Sequence, residues 1–183
     1  MNKIPDHAKQ VFEGGYLHVF QWDQEMFDGS TAQFYAIKRS PTTEIIAITP
    51  DGKVMIGEQE QPNRPPYLSL FGGSIEDSED PLESAKRELL EETGCIADSW
   101  ELVEVTQFPW RKLDWESHLF VAKNCRKIQD QQLDSGEKIT IREVGFDEFI
   151  KLGAKEIRWS KPSWLYEDAA TKSGIERLQA VIR

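Results

Sequence analysis

A helix with an unusually complete set of start and stop signals lies in the middle of the chain. Asp80 is a good N-cap, Pro81 suits the first helical position, and Glu83 completes a capping-box pattern. Gly94 marks the C-terminal end, because glycine readily adopts the left-handed conformation that closes a helix. The sequence therefore predicts a helix that starts near residue 80 and ends at Gly94, and the rest of the fold has to cover its apolar face.

This helix and the residues before it are strongly acidic. Residues 76–92 contain eight acids and two bases. Glu88, Glu91 and Glu92 share a narrow arc of the helix, at i, i+3 and i+4, where like charges repel one another. They also lie in the last turns, where the helix dipole disfavours negative charge. A charge run is usually a solvated helix face, but this arrangement is better explained by a hard divalent cation that needs oxygen ligands and negative charge.

The composition limits the classes of function open to the chain. Its 183 residues include 22 Lys and Arg against 32 Asp and Glu, and the net charge of −10 disfavours binding to nucleic acid. Cys95 and Cys125 are too few for a disulfide framework or a zinc site, so two reduced thiols are expected. The first ten residues contain no apolar targeting segment and no apolar run is long enough to span a bilayer, so we expect a soluble cytoplasmic protein without membrane partners.

The remaining patterns predict an α/β fold. Aromatic and β-branched residues separated by turn signals are typical of strands, and they occur at residues 16–22, 33–38, 45–49, 54–57, 101–105, 118–122 and 139–144. Helical patterns follow at 146–152 and 163–182. This order favours a mixed sheet with helices packed on it. We predict a strand-rich N-terminal region over residues 1–50 and a main domain over residues 51–183.

The acidic helix also contains a known sequence signature. Gly73, Glu79 and the run from Arg87 to Gly94 have the fixed spacing of the 23-residue Nudix box. Cys95 replaces the usual aliphatic residue at its last position and acts as a small hydrophobe. The chain thus resembles the Nudix hydrolases over about residues 10–155. The resemblance implies an α/β/α sandwich that cleaves a nucleoside diphosphate linked to another group, with Glu79 packed back onto the helix to hold the loop.

The resemblance also implies a role for several positions of the motif. Glu88 and Glu92 would be the main ligands of Mg²⁺ or Mn²⁺, with Glu91 helping them or acting on the water. The backbone carbonyl of Gly72 would be a further metal ligand, and Arg87 would orient a catalytic carboxylate. Elementary chemistry agrees with this, because pyrophosphate cleavage needs neutralised phosphates and a nucleophilic water, and a metal cluster supplies both.

The surroundings of the motif resemble the branch that hydrolyses ADP-ribose and other nucleoside diphosphate sugars. The shared features are the strand-rich N-terminal stretch, a Gln-x-x-Pro segment at residues 59–62, and Pro109 after the box. The branch usually carries arginine where Gln61 stands, which makes Arg64 a candidate substrate ligand. The branch often reads Glu-Leu-Pro-Ala-Gly into the box, whereas residues 69–73 read Ser-Leu-Phe-Gly-Gly, so the preferred base and sugar stay open.

Three more candidate substrate contacts follow the box. Trp110 could stack on a base, although a core or interface position is the commoner role for a tryptophan. Arg111 could contact phosphate, and an exposed loop charge explains it equally well. Glu116 could reach the substrate or the metal.

The polar segment 131–137 contains a glycine and predicts a mobile loop before the strand that starts at Ile139. In the resembling branch the corresponding loop carries a glutamate that reaches the metals or the attacking water. Glu137 is favoured for this catalytic role over Asp134 because its side chain is longer and it lies closer to the strand; an exposed loop acid fits the pattern as well. The branch usually forms homodimers through its N-terminal strands, so we expect residues 1–50 to be a dimerisation region.

Two alternative functions stay open on the sequence. A Nudix hydrolase could instead act on dinucleoside polyphosphates, nucleoside triphosphates or RNA 5′ ends, although an acidic surface disfavours RNA. A non-catalytic nucleotide-sugar sensor is an alternative of a different class, but such modules typically lose the glutamates of the box, and this chain keeps them. The leading prediction is an enzyme with a nucleotide-sugar substrate and a divalent metal.

Overall fold

The computed structural model describes residues 4–107, 112–158 and 172–182. Within these ranges the chain forms two compact units, the first from residues 4–41, 107 and 112–116 and the second from residues 42–106, 117–158 and 172–182. The strand that starts at Thr42 belongs to the second unit, and the domain boundary at residue 50 stays a prediction. The dimerisation role of the N-terminal region stays a prediction.

The first unit is a four-stranded sheet. Its strands are β1 (Lys9–Gly14), β2 (Leu17–Glu25), β3 (Thr31–Arg39) and β9 (Leu113–Asp114). The first three form an antiparallel meander, and β9 pairs in parallel with β3. Gly15 and Gly29 have φ values of 46° and 80° in the two connecting turns, a conformation that glycine adopts without a steric penalty.

The second unit contains a mixed sheet and the described helices. Its elements are β4 (Thr42–Ile48), β5 (Val54–Glu60), β6 (Tyr67–Ser69), α1 (Pro81–Thr93), β7 (Cys95–Ile96), β8 (Ser99–Gln107), β10 (Glu116–Lys123), β11 (Arg126–Lys127), β12 (Lys138–Val144), α2 (Phe146–Lys155), β13 (Ile157–Arg158) and α3 (Lys172–Ile182). The sheet order is β13–β6–β5–β4–β10–β8, with β12 paired to β5. The β4–β10 and β6–β13 pairs are parallel, and β5 pairs antiparallel with β4, β6 and β12.

Helices cover both faces of this sheet. Successive residues of a strand point to opposite faces, so the apolar residues of one strand contribute to the core on both sides. Along β4, Ile45 and Ala47 belong to a core cluster that contains Leu89 of α1. Ile46 and Ile48 belong to a second cluster that contains Phe149 of α2, together with side chains of α3. The predicted α/β/α sandwich with a mixed sheet is therefore confirmed.

Strands β1, β6, β7, β9, β11 and β13 were not predicted from the sequence, and the predicted elements differ from the structure mostly at their ends. Helix α2 extends to Lys155, beyond the predicted end at residue 152, and the strands are longer because ladder pairing extends past the apolar residues. Of the predicted terminal helix, residues 172–182 are helical and residues 163–171 lie outside the described residues. Cys95 and Cys125 are free and buried, as expected, and burial raises the pKa of Cys125 to about 12. No helix within the described ranges is long and apolar enough to cross a membrane.

Candidate active site

Helix α1 begins and ends where the sequence predicts. The Asp80 side chain accepts hydrogen bonds from the backbone N–H groups of Leu82 (2.9 Å) and Glu83 (3.4 Å), and Pro81 is the first helical residue. At the other end, Gly94 has φ 72° and its N–H donates to the carbonyl of Leu90 at 2.8 Å. The buried face of α1, which includes Ala85 and Leu89, packs on the sheet, so the acidic positions are held in place by the core beneath them.

Arg87 is the centre of an ion-pair network on α1. Its Nε and Nη2 atoms donate to the two carboxylate oxygens of Glu79, at 3.0 and 3.1 Å. Its Nη1 atom lies 2.9 Å from Glu88 Oε1 and 3.0 Å from Glu91 Oε2. These contacts hold the pKa of Glu79 below its ordinary value, mainly through the Arg87 hydrogen bond, and Glu79 in turn raises the pKa of Arg87. Arg87 and Glu91 form an i, i+4 ion pair on the helix, and Glu79 holds the loop before the helix by accepting the N–H of Glu76.

Two serines complete the surroundings of Arg87 and were not predicted from the sequence. The Nη2 atom donates to the Ser74 carbonyl and to Ser84 Oγ, both at 3.3 Å. Ser84 precedes Arg87 by three residues on the same face of the helix, a spacing at which side chains meet. The guanidinium is therefore fixed from both the helix and the preceding loop.

Glu92 is a deeply buried acid, with 4% of its surface exposed. Its Oε2 atom accepts the backbone N–H of Gly72 at 2.7 Å. Burial raises its pKa well above the ordinary value, and the Gly72 hydrogen bond only partly opposes that effect. Burial also raises the pKa of Glu88, against the lowering effect of Arg87. A buried acid with insufficient compensation marks a place where positive charge would be stabilised.

Gly72 lies where backbone leaves no room for a side chain, and Gly73 lies directly against the carboxylate of Glu88. Gly72 has φ 133°, and a Cβ there would lie 2.1 Å from the backbone oxygen of Thr43. A Cβ on Gly73 would lie 2.4 Å from Glu88 Oε1. The Gly73 carbonyl is fixed by the N–H of Thr43 at 2.9 Å, so the two glycines run against β4 on one side and the acids of α1 on the other. The role of the Gly72 carbonyl as a metal ligand stays a prediction.

The structure brings Glu137 into the same group of acids. Its pKa is raised by burial first and then by the nearby charges of Asp134 and Glu91. The charge of Glu137 in turn raises the pKa of Glu88 and of Glu92. The segment that carries Glu137 was predicted to be mobile, but it makes defined hydrogen bonds to α1, including one from the Gln132 N–H to the Glu91 carbonyl at 2.8 Å. Sequence patterns gave no signal for this anchoring.

Four further residues were predicted to contact the substrate. Arg64 is exposed in the loop between β5 and β6, with Nη1 3.5 Å from Gln61 Oε1. Glu116 is the half-buried first residue of β10. Trp110 and Arg111 lie outside the described residues. Substrate roles for all four stay predictions.

The acids of the box fit a divalent cation by their chemistry. No three metal-binding side chains converge on one point within the described ranges, and Arg87 Nη1 contacts both Glu88 and Glu91. The donor set nevertheless consists of carboxylate oxygens, which hard cations such as Mg²⁺ prefer. Burial first, and neighbouring acids after it, raise the pKa of Glu88 and Glu92, and a bound cation would favour the charged forms of both carboxylates. The roles of Glu88, Glu91 and Glu92 as metal ligands stay predictions.

The sandwich fold and this acidic helix together define a class of protein. A model of the NUDIX domain matches residues 38–165, most of the chain. The chain therefore belongs to the Nudix family, and it is a hydrolase. Enzymes of this class use divalent metal ions.

Two related proteins and one solved structure are similar to this chain over most of its length. The chain is 25% identical over 173 residues to an ADP-ribose pyrophosphatase of Bacillus subtilis (strain 168), with 92% of each protein covered. It is 30% identical over 147 residues to a methanol dehydrogenase activator of Bacillus methanolicus, with 79% of each covered. The fold is similar to that of a crystallised ADP compounds hydrolase, with a TM-score of 0.69, 17% identity, and 96% of this chain and 91% of the other covered.

Proposed function

We propose that the protein hydrolyses the pyrophosphate bond of nucleoside diphosphate sugars such as ADP-ribose, with Mg²⁺ or Mn²⁺ as the cofactor. The observation that carries this proposal is a group of acids with raised pKa values, made of buried Glu92 and half-buried Glu88 and Glu137. Glu92 and Glu88 in this group contact Gly72 and Gly73. The similarity to an ADP-ribose pyrophosphatase over nearly the whole chain supports the choice of substrate class.

Each residue of the site has a proposed task. Glu88, Glu91 and Glu92 hold the cation, which when bound neutralises diphosphate charge and lowers the pKa of water. Arg87 fixes the orientation of Glu88 and Glu91 through its Nη1 contacts. Glu137 accepts a proton from the attacking water, and its raised pKa makes it a better base near neutral pH than an ordinary glutamate.

The glycine pair and the flanking residues serve the substrate. Gly72 and Gly73 present backbone without side chains next to the acids, which permits close approach of a phosphate. Arg64 and Arg111 are proposed to contact phosphate, Trp110 to stack on the base, and Glu116 to contact the substrate; the last three lie in one sequence segment, residues 110–116. The base and the sugar are not specified by any of these contacts.

We further propose a homodimer that forms through the first unit, with the partner contributing to the substrate pocket. The sheet of this unit exposes several large apolar side chains, among them Val11 (46%), Phe12 (54%) and Tyr35 (43%). Apolar side chains exposed together on one sheet are typical of an interaction surface. The cytoplasmic location stays a prediction.

A hydrolysis screen tests the proposal directly. The purified protein is incubated with Mg²⁺, Mn²⁺ or EDTA and with ADP-ribose, ADP-glucose, GDP-mannose, UDP-glucose, nucleoside triphosphates, dinucleoside polyphosphates and capped RNA. We expect nucleoside monophosphate and a sugar phosphate from at least one nucleotide sugar, no activity in EDTA, and recovery when metal is restored. Full activity in EDTA would overturn the metal assignment, and exclusive hydrolysis of triphosphates or capped RNA would overturn the substrate class.

The relative from Bacillus methanolicus supports a second candidate function. That protein is named as an activator of methanol dehydrogenase, and the identity of 30% over 147 residues is the higher of the two relatives. The candidate function is activation of an alcohol dehydrogenase. Turnover of the Bacillus methanolicus dehydrogenase, measured with and without this protein, tests it; a Glu92→Gln variant then distinguishes activation by hydrolysis from activation by contact.

A further inference from the structure

The side chain of Gln131 connects helix α1 to strand β12, which follows the loop that carries Glu137. Its Nε2 atom donates to the carbonyl of Glu92 at 2.6 Å and to the carbonyl of Ile139 at 3.1 Å. The side chain is half-buried. One amide group therefore uses both of its N–H bonds on two backbone carbonyls that are far apart in sequence.

The backbone carbonyls at the C-terminal end of α1, including that of Glu92, need hydrogen-bond donors from outside the helix. The last four carbonyls of an α-helix have no partner within the helix, and at the end of α1 each of three carbonyls is paired by a different group. The Leu90 carbonyl accepts the Gly94 N–H, the Glu91 carbonyl accepts the Gln132 N–H, and the Glu92 carbonyl accepts Gln131 Nε2. Because the last turn of α1 has no basic residue, the loop rather than a lysine or arginine of the helix supplies these donors.

The same contact fixes both ends of the loop. Gln131 is its first residue, and Ile139, which follows Glu137 by two residues, lies in β12. The Glu137 N–H also donates to the Asp134 carbonyl at 2.9 Å, so the loop closes on itself between its two anchored ends. Tying both ends reduces the conformations that the Glu137 side chain can sample relative to Glu88 and Glu92.

We propose that Gln131 is a positioning residue that holds Glu137 in register with the acids of α1. The proposal rests on the proposed function, because it assigns Gln131 a role in that reaction. Gln131 acts through Glu137 and makes no contact with substrate. A carboxylate or an aliphatic side chain at this position lacks the two N–H bonds that the carbonyls of Glu92 and Ile139 accept.

The test is Gln131→Met, which keeps the length of the side chain and removes both donors. Gln132→Met is the matched control, because the Gln132 side chain is exposed and its hydrogen bond to Glu91 uses the backbone N–H. Hydrogen exchange is measured on the metal-free proteins, and kcat and KM are measured with ADP-ribose and Mg²⁺. For Gln131→Met we expect exchange at residues 132–139 to rise about tenfold and kcat to fall about 10–100-fold, with KM within twofold. The control should match the wild type in all three.

The double variant Gln131→Met with Glu137→Gln separates positioning from general damage. If Gln131 acts through Glu137, the double variant loses little more kcat than Glu137→Gln alone, because the two effects are not additive. Additive losses, wild-type exchange in Gln131→Met, or faster exchange throughout the chain would each overturn the proposal. If the wild type does not hydrolyse ADP-ribose, the proposed function fails in the kinetic arm, whereas exchange in the metal-free protein still decides whether Gln131 anchors the loop.

Discussion

Replacement of Gly73 by alanine should separate catalysis from folding in this protein. The new Cβ would lie 2.4 Å from Glu88 Oε1 and 2.7 Å from its carboxylate carbon, whereas an ordinary contact begins at 3.4 Å. The obstructing atoms are the end of a flexible side chain, so the backbone can stay where it is while the carboxylate moves by about 1 Å. A misplacement of about 1 Å in a catalytic group can lower the rate about 100-fold. We therefore expect kcat to fall about 100-fold.

The stability of the same variant should change little. Gly73 has no positive φ, and a tolerated Gly→Ala change stabilises a protein by about 0.4–1 kcal/mol through the unfolded state. Calorimetric melting and steady-state hydrolysis of ADP-ribose measure the two effects. Gly145→Ala is the control, since its Cβ meets nothing within 4 Å. Gly72→Ala is the contrast: its Cβ would lie 2.1 Å from the Thr43 backbone, so this variant should fold poorly. Normal kcat in Gly73→Ala would refute the inference that the position of the Glu88 carboxylate limits the reaction.

Three other outcomes are expected. In EDTA, the free energy of unfolding should fall as pH rises above the ordinary glutamate pKa of 4.5. The reason is that the raised pKa of Glu92 lets the folded state bind more protons than the unfolded state. In denaturant titrations Glu92→Gln should flatten this pH dependence and leave folding intact, and with Mg²⁺ the variant should lose most turnover. Glu137→Gln should lower kcat about 10²–10⁴-fold at nearly constant Tm while Asp134→Asn does little, and if both variants are normal the base is within the box. Light scattering should give about twice the chain mass of 21.1 kDa, and a monomer at assay concentration would exclude the dimer.

The local structure of α1 could be predicted because its signals are local. Asp80, Pro81 and Gly94 act on the backbone within a few residues, and all three have their predicted roles in the structure. The Arg87–Glu91 contact follows from the helical period alone. The Nudix signature implied that Glu79 packs back onto the helix, but its partner Arg87 was not predicted, because a separation of eight residues across a loop and a helix gives no contact by periodicity.

What could not be predicted depends on contacts between segments distant in sequence. Gln131 bonds to the Glu92 carbonyl across 39 positions, and a polar glutamine in a glycine-containing loop is typical of solvent exposure. The depth at which Glu92 is buried was equally hidden, because the spacing of Glu88, Glu91 and Glu92 indicates a shared helix face and not how far each side chain is covered. Glu92 accepts the N–H of Gly72 from the preceding loop, and the φ of 133° at Gly72 is a property of the folded chain.

The end of α1 is arranged against the rules that stabilise an isolated helix, and the arrangement is consistent with a site that is completed by a ligand. Acids occupy the last turns and no base offsets the helix dipole there. The Glu91 and Glu92 carbonyls are paired by the loop that begins at Gln131, which satisfies the backbone but leaves the carboxylates uncompensated. Arg87 offsets part of the charge of Glu88 and Glu91, while Glu92 receives one hydrogen bond from a neutral N–H. The fold thus pairs the backbone carbonyls of Glu91 and Glu92, and the proposed cation would balance the negative charge of the carboxylates.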